Sequence, residues 1–378
     1  MNPSSRLGFE VLTADLGTAA RRGRLLTRRG EVETPVFMPV GTAGTVKGIL
    51  PWMLRDTGAR IILGNTYHLY LRPGLEVVEK LGGLHRMMAW DGPILTDSGG
   101  YQVFSQAGLR KIAENGVRFR SHIDGSQHEL TPEKAIAIQE TLGSDIMMVL
   151  DECPPAGADP RYVAASVERT TRWAERCLAA RTSSAALFGI LQGGTVPELR
   201  AAHAEVLTRM SFDGFAIGGL SVGEGAEEMV AITRLSAALL PPDRPRYLMG
   251  VGRPSDILQA VACGVDMFDC VLPTRGGRMG TLFTSRGELI IKHARYRLDE
   301  RPPDSGCPCP VCARFSRAYL RHLFLAGEML GAVLNTLHNL CFFGRLMEEI
   351  RASIPAGTFP SLLEERLPLL DRRVPGGE

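Results

Sequence analysis

The chain has no uncharged apolar run long enough to span a bilayer, and its opening, MNPSSRLGFEV, carries no apolar signal core. A membrane-spanning or secreted protein is therefore not expected, and a cytoplasmic, reducing setting is. Cysteine is sparse, at eight in 378 residues, too few for a disulfide-stapled scaffold. Net charge is nearly absent: 43 Lys and Arg face 41 Asp and Glu, leaving +2, so no basic field covers the whole molecule. There is no internal repeat beyond an alternation of strand and helix patterns, and no low-complexity tract. A glycine-rich phosphate fingerprint after the first expected strand is also missing, which counts against a doubly wound open sheet.

What is present is 41.1 kDa of chain, 44% hydrophobic and 22% charged, as in a soluble globular enzyme. Eight short apolar runs recur: PVFMPVGT (35–42), RIILGN (60–65), PILTDSGG (93–100), DIMMVLDE (145–152), LFGILQGG (187–194), FAIGGL (215–220), YLMGVG (247–252) and MFDCVLPT (267–274). Near-continuous hydrophobicity fits strands buried on both faces of a parallel sheet. Helical patterns lie between most of them. In LTPEKAIAIQETLGSD, Thr131 reads as the N-cap, Pro132 as the first helical residue and Gly143 as the stop. Eight such units predict an α/β fold, a (β/α)8 TIM barrel over residues 1–274. Two segments interrupt the alternation. One, near 101–130, ends in VRFRSHIDGSQHEL, which predicts a hairpin turning at Asp124-Gly125. The other, 275–345, is expected to be a basic, metal-binding subdomain inserted after strand eight. A helical segment over 331–370 would close the barrel, and 371–378 would be an unstructured tail.

The second insertion holds CPCPVC, with Cys307, Cys309 and Cys312, and 26 residues beyond Cys312 the segment TLHNLC supplies His338. Three soft thiolates and one imidazole make the closed four-ligand shell of a structural zinc ion, one Zn2+ per subunit. The bland alternative is a disulfide knot or buried thiols, which a reducing compartment disfavours. The other five cysteines read as ordinary small residues, with Cys153 a possible exception. From Arg275 to Arg321 there are ten Lys or Arg against four acids, an excess larger than the net charge of the chain. Such a patch can bind phosphates; the alternative is a solvated helix face, since Arg314, Arg317 and Arg321 have helical spacing.

Catalysis in such barrels sits at the carboxyl ends of the strands. Strand three delivers Asp97, then Ser98-Gly99-Gly100-Tyr101-Gln102; strand four Asp151; strand five Gln192-Gly193-Gly194; strand six Gly218-Gly219-Leu220; strand seven Met249-Gly250; strand eight Asp269. A single strand-end Asp is often only a helix N-cap. Three acids in one ring, beside glycines that let a ligand approach the backbone, point to chemistry. Paired carboxylates suit a sugar C1′, one as nucleophile and one moving a proton. A third carboxylate with an amide suits a purine edge. Tyr101 and Met249 could sandwich a flat ring, or be core residues.

TDSGGYQVFS, SHIDGS, DECPP, LQGG, GFAIGGLSVGEG, YLMGVGRP, DMFDCVLPTR and the C-x-C-x-x-C…H cluster together resemble the bacterial queuine/tRNA-guanine transglycosylase family, from about residue 6 to 355. The resemblance implies a pentosyltransferase in which Asp269 is the nucleophile and Asp97 the general acid/base. Asp151, Gln192, the Gly219 N–H and the Leu220 carbonyl would read the base, and Tyr101 and Met249 flank it. Cys153 and Val222 look like the pocket version that takes 7-aminomethyl-7-deazaguanine (preQ1) in preference to queuine. Arg275 and Arg278 would lie near the anticodon stem-loop of tRNA, and Cys307, Cys309, Cys312 and His338 would hold zinc. The partners implied are tRNA, preQ1, guanine and a second copy of the chain, with no membrane. One departure is Gly276-Gly277-Arg278-Met279, where many relatives carry a serine and an asparagine. The rival readings are archaeosine-type exchange elsewhere in tRNA, a non-catalytic RNA-binding subunit, and a plain glycoside hydrolase barrel.

Overall fold

Eight parallel strands close into a barrel, and each of the eight apolar runs supplies one of them. The computed structural model describes residues 7–104 and 110–374. Strands β1 (Gly8–Ala14), β2 (Arg21–Thr27) and β3 (Gly30–Thr34) form an antiparallel sheet that precedes the barrel. The barrel begins with β4 (Val36–Gly41), β5 (Ile62–Gly64) and β6 (Ile94–Thr96). After a second antiparallel sheet, β7 (Arg110–Ala113), β8 (Gly116–Arg120) and β9 (Gln127–Leu130), it resumes. Its remaining strands are β10 (Ile146–Met148), β11 (Ala186–Leu191), β12 (Gly214–Ile217), β13 (Arg246–Leu248) and β14 (Met267–Cys270). β14 pairs with β4, from Met267 opposite Val36 to Cys270 opposite Pro39, and this closes the ring. Every residue of β4, β10, β11 and β12 is buried, which is why these runs are apolar on both faces.

Local signals behave as expected where they are strong. The helix Pro132–Leu142 starts with the Thr131 hydroxyl accepting the Lys134 N–H at 3.2 Å and stops at Gly143, whose φ is 79°. The first insertion contains more than the expected hairpin. β8 and β9 do pair, but across a loop of residues 121–126 rather than a two-residue turn, and β7 adds a third strand. The Glu114 carbonyl at its β7–β8 turn accepts the Trp173 indole N–H at 2.8 Å, fastening it to the helix Pro160–Ala180.

The N-terminal sheet was not foreseen, and one residue shows what it does. Arg21 of β2 makes a bidentate pair with Asp266, at 2.9 and 2.6 Å, and both side chains are buried. Asp266 lies just before β14, so the sheet is tied to the amino-terminal end of the barrel, opposite the strand ends that carry the acids.

Past β14 come a short helix (Leu272–Arg278), the hairpin β15 (Thr281–Thr284) and β16 (Gly287–Ile290), the cysteine loop, the helix Arg317–Leu325 and the long helix Met329–Ser353. The long helix serves two neighbours. Asn339 donates to the carbonyls of Pro273 and Thr281 at 3.0 and 2.9 Å and accepts the Phe283 N–H at 3.0 Å. Its next turn meets the barrel: Phe343 packs on Phe37 with centroids 4.7 Å apart, and a Cβ on Gly344 would lie 1.9 Å from the Thr57 carbonyl oxygen. Gly277 has a similar reason. A Cβ on Gly277 would meet the Thr336 backbone nitrogen at 2.7 Å, so this position of the short helix is bare because the long helix lies against it.

The expected tail needs correction. Glu288 of β16 donates to the Arg372 carbonyl at 2.8 Å and accepts the Val374 N–H at 2.9 Å, and Val374 is buried. Residues 371–374 thus line the hairpin edge, because the unpaired edge of β16 offers them backbone partners. The end of the expected tail, 375–378, lies outside the described residues.

Candidate active site

Asp97, Asp151 and Asp269 stand just past β6, just past β10 and within β14 near its carboxyl end, so the fold brings the three acids to one barrel mouth. Asp97 is buried and crowded with donors. Its Oδ1 accepts the Thr66 and Gly99 N–H groups at 2.8 and 3.2 Å, and its Oδ2 accepts from the Asn65 and Gln102 side chains. Burial nevertheless outweighs these bonds, and with the nearby Asp269 charge it pushes the carboxyl up to about 6. Asp151 is likewise pushed up to about 6 by burial, against a hydrogen bond from Gln192 and with the Asp97 charge adding to the rise. Each acid therefore feels the next.

Asp269 is held differently. Its Oδ1 accepts the Tyr247 hydroxyl at 2.6 Å and the Gly250 N–H at 2.7 Å, and no protein donor among the described residues reaches Oδ2. Burial raises its pKa above the usual carboxylate value, and the two donors oppose the rise. One oxygen is pinned and the other left open, which suits a carboxylate that attacks an electrophile from a fixed direction.

The remaining expected residues form a slot beside these acids. Gln192 is fully buried; its Nε2 donates to Asp151 at 2.6 Å, and its Oε1 has no protein partner. A buried acceptor without a donor is costly unless a ligand supplies one. Gly218 and Gly219 have to be glycine: a Cβ on Gly218 would lie 2.6 Å from Gln192 Nε2, and one on Gly219 2.4 Å from Gln192 Oε1. Burial pushes the Cys153 thiol up to about 12, with the Gly219 N–H acting against the rise, so that thiol stays protonated. Leu220 is buried and Met249 half-buried, while Tyr101 is 55% exposed on the short helix Gly100–Phe104 with the Cys153 sulfur near enough to act on its hydroxyl. Beyond Leu220, the Glu224 carboxylate accepts the Ser221 and Val222 N–H groups and shapes the turn.

Sequence reasoning missed Asn65, Thr66, Tyr247, Arg200 and His203. Tyr247 sits in an apolar strand and Arg200 in an ordinary amphipathic helix, Pro197–Leu207, and neither carries a local signal.

The Sγ atoms of Cys307, Cys309 and Cys312 and a ring nitrogen of His338 lie within 4.8 Å of one another, all buried, and could hold a metal ion. The His338 ring is oriented for it. Its Nε2 lies 2.8 Å from the Phe283 carbonyl, to which it donates, leaving the Nδ1 lone pair toward the sulfurs of Cys312 and Cys309 at 3.3 and 3.6 Å.

The basic stretch is only partly available to a ligand. Arg317 is buried against Asp299, which Arg301 also engages, and Arg321 donates to the His293 carbonyl at 3.0 Å. Arg314 lies ahead of the helix that starts at Arg317, so the expected three-arginine face does not form. Arg275 is exposed and makes no side-chain hydrogen bond among the described residues, and Arg278 donates to the Thr274 carbonyl at 2.9 Å. They lie six and nine residues past Asp269.

A family model described as queuine tRNA-ribosyltransferase matches residues 15–370, the barrel and the metal cluster together. The chain belongs to the queuine tRNA-ribosyltransferase family. A relative of that name from Solidesulfovibrio magneticus is 61% identical over 350 residues, 92% of this chain and 94% of its own. Those from Symbiobacterium thermophilum and Caldanaerobacter subterraneus are 58% and 57% identical, covering 93% and 95% of this chain and 88% and 96% of theirs. The family is one of enzymes, the tRNA-guanine transglycosylase class of queuosine synthesis, and the plain glycoside hydrolase reading falls with this match. No helix among the described residues is long and apolar enough to cross a membrane.

Proposed function

We propose that the chain exchanges guanine at wobble position 34 of tRNAs with GUN anticodons (those for Asp, Asn, His and Tyr) for preQ1, by double displacement through a covalent enzyme–RNA intermediate. The observation that carries the reading is Asp269, with one oxygen pinned by two donors and the other open, in electrostatic contact with a second acid whose pKa is about 6. The wobble nucleotide leaves its stack to enter the mouth. Asp269 Oδ2 attacks C1′ as the C1′–N9 bond breaks, and the electron pair leaves with guanine. Asp97, in its protonated form, gives its proton to that base. The incoming preQ1 then returns its N9 proton to Asp97 as N9 attacks C1′, and Asp269 departs as a carboxylate. A pKa near the working pH suits a group that both gives and takes a proton.

The acceptors Asp151 and Gln192 Oε1 would take the N–H groups of the guanine edge, and the Gly219 N–H its carbonyl oxygen, with the Leu220 carbonyl taking the preQ1 aminomethyl group. Tyr101 and Met249 would cover the two faces of the ring. Cys153 and Val222 favour preQ1 over queuine through a close-fitting pocket. Arg275 and Arg278 would meet anticodon phosphates. Three thiolates and an imidazole suit zinc, held by Cys307, Cys309, Cys312 and His338; a closed four-ligand shell supplies structure to the 275–345 segment, with no open position for chemistry. Two copies sharing one tRNA, and a cytoplasmic setting, complete the reading.

Exchange of radiolabelled guanine into anticodon stem-loops, competed with preQ1 and with queuine, tests it. Label should enter only loops with G34, and preQ1 should compete better than queuine. Label in a loop lacking G34, or none in any, contradicts the proposal.

A further inference from the structure

Arg200 is fully buried, and among the described residues it makes no ion pair; the Glu224 carboxylate acts on it only from a distance, too weakly to offset burial. Its guanidinium spends its donors on three backbone carbonyls instead. Nε reaches Gly194 at 2.8 Å, Nη1 reaches Leu191 at 3.2 Å and Nη2 reaches Gly218 at 2.8 Å. These are the loops after β11 and β12, the two that carry Gln192 and Gly219. Burial lowers the guanidinium to about 10, which leaves it charged at neutral pH. Burying an unpaired cation costs several kcal/mol. A tie between two loops could be made by a neutral donor, so the charge itself calls for a reason.

The Gly218–Gly219 peptide gives one. In a trans peptide the C=O and the N–H point in opposite directions. With the Gly218 oxygen held on Arg200, the Gly219 N–H must point away from the guanidinium, which leaves it on the side where it acts on the Cys153 thiol. A cation on the carbonyl also withdraws charge along the peptide and strengthens the opposite N–H as a donor. The same helix supplies His203, which accepts the Gln192 N–H at 3.0 Å, so one face of Pro197–Leu207 sets both base-facing loops.

We propose that Arg200 is a positioning residue for base recognition: it orients and polarises the Gly218–Gly219 peptide so that the Gly219 N–H is presented to the carbonyl oxygen of the bound base. This rests on the base-exchange reading above. The strengthened donor also meets negative charge as it develops on the displaced base, the point at which a preorganised dipole matters most.

The test pairs a protein change with a ligand change. 6-Thioguanine keeps every N–H of guanine but presents sulfur, a weaker acceptor, where guanine has oxygen. Dissociation constants for both bases are measured on wild type, Arg200→Met and Arg200→Lys, with melting temperatures alongside. Wild type should prefer guanine by about tenfold, the worth of one good hydrogen bond. In Arg200→Met that preference should fall to about twofold or less, while Arg200→Lys, which keeps the charge, should recover part of it. A purely structural arginine would weaken both bases equally and leave the ratio unchanged, and that result overturns the inference. So would failure of both variants to fold, since the bonds would then hold up the barrel and not tune the slot. If wild type binds neither base, it is the base-exchange reading that fails.

Discussion

Removing the Tyr247 hydroxyl separates the two acids by their titration. In Tyr247→Phe, Asp269 keeps the Gly250 N–H but loses the 2.6 Å bond from the phenol. That bond favours the ionised form, against the burial that already raises this carboxyl. A hydrogen bond to a charged group contributes about 1.5–3 kcal/mol, and each 1.36 kcal/mol moves a titration by one pH unit. Adduct formation requires Asp269 ionised and Asp97 protonated, so its single-turnover rate should trace a bell against pH. The rising limb reports Asp269 and the falling limb Asp97. The sign is fixed: loss of a donor to the carboxylate raises the pKa, so the rising limb moves upward, by about one to two pH units. The falling limb stays near 6, where burial places Asp97. The assay is rapid quench of enzyme with a G34 stem-loop, scoring denaturation-stable adduct across pH 4–9. If both limbs stay in place, Tyr247 does not govern the nucleophile and the reasoning fails.

Other perturbations act away from the chemistry. Arg21→Met leaves Asp266 buried without its ion-pair partner, with the Arg246 N–H as its remaining donor, and should cost about 3–5 kcal/mol in denaturant unfolding with exchange activity per folded molecule unchanged; a loss under 1 kcal/mol would show that the pair contributes little. Gly344→Ala forces a Cβ onto the Thr57 carbonyl and should cost about 1–3 kcal/mol, read as a lower melting temperature. Chelation should lower the melting temperature and weaken stem-loop binding more than free-base binding, because the cluster ties the loop Cys307–Cys312 to the helix that also packs on the barrel. Full retention of both after verified metal loss would contradict a structural role.

Much of this architecture was legible because its signals are local. All eight barrel strands are short apolar runs, and three of those runs carry an aspartate, Asp97, Asp151 or Asp269, that the barrel presents at its mouth. The C-x-C-x-x-C turn marks its own chemistry, and only His338 had to be found at a distance. What was hidden depends on contacts between remote positions. Asn65 and Asp97 are 32 residues apart and meet only because β5 and β6 are neighbours. Arg21 and Asp266 are 245 residues apart, so the sheet β1–β3 has no sequence mark of what it docks against. Arg200 looks like any charged residue in PELRAAHAEVL until the helix turns it inward. The basic stretch errs the other way. Counting charges treats Arg317 and Arg321 as free, but Asp299 and the His293 carbonyl occupy them.

The central claim is that the Asp269 carboxylate bonds to the ribose. Trapping the enzyme on a G34 stem-loop, digesting it and mapping the nucleotide-bearing peptide by mass spectrometry tests this most directly. The account predicts that the modification falls on Asp269 in MFDCVLPTR and is absent from Asp269→Asn, while that variant still binds the stem-loop. A modification on Asp97 or Asp151, or an adduct that persists in Asp269→Asn, would contradict it.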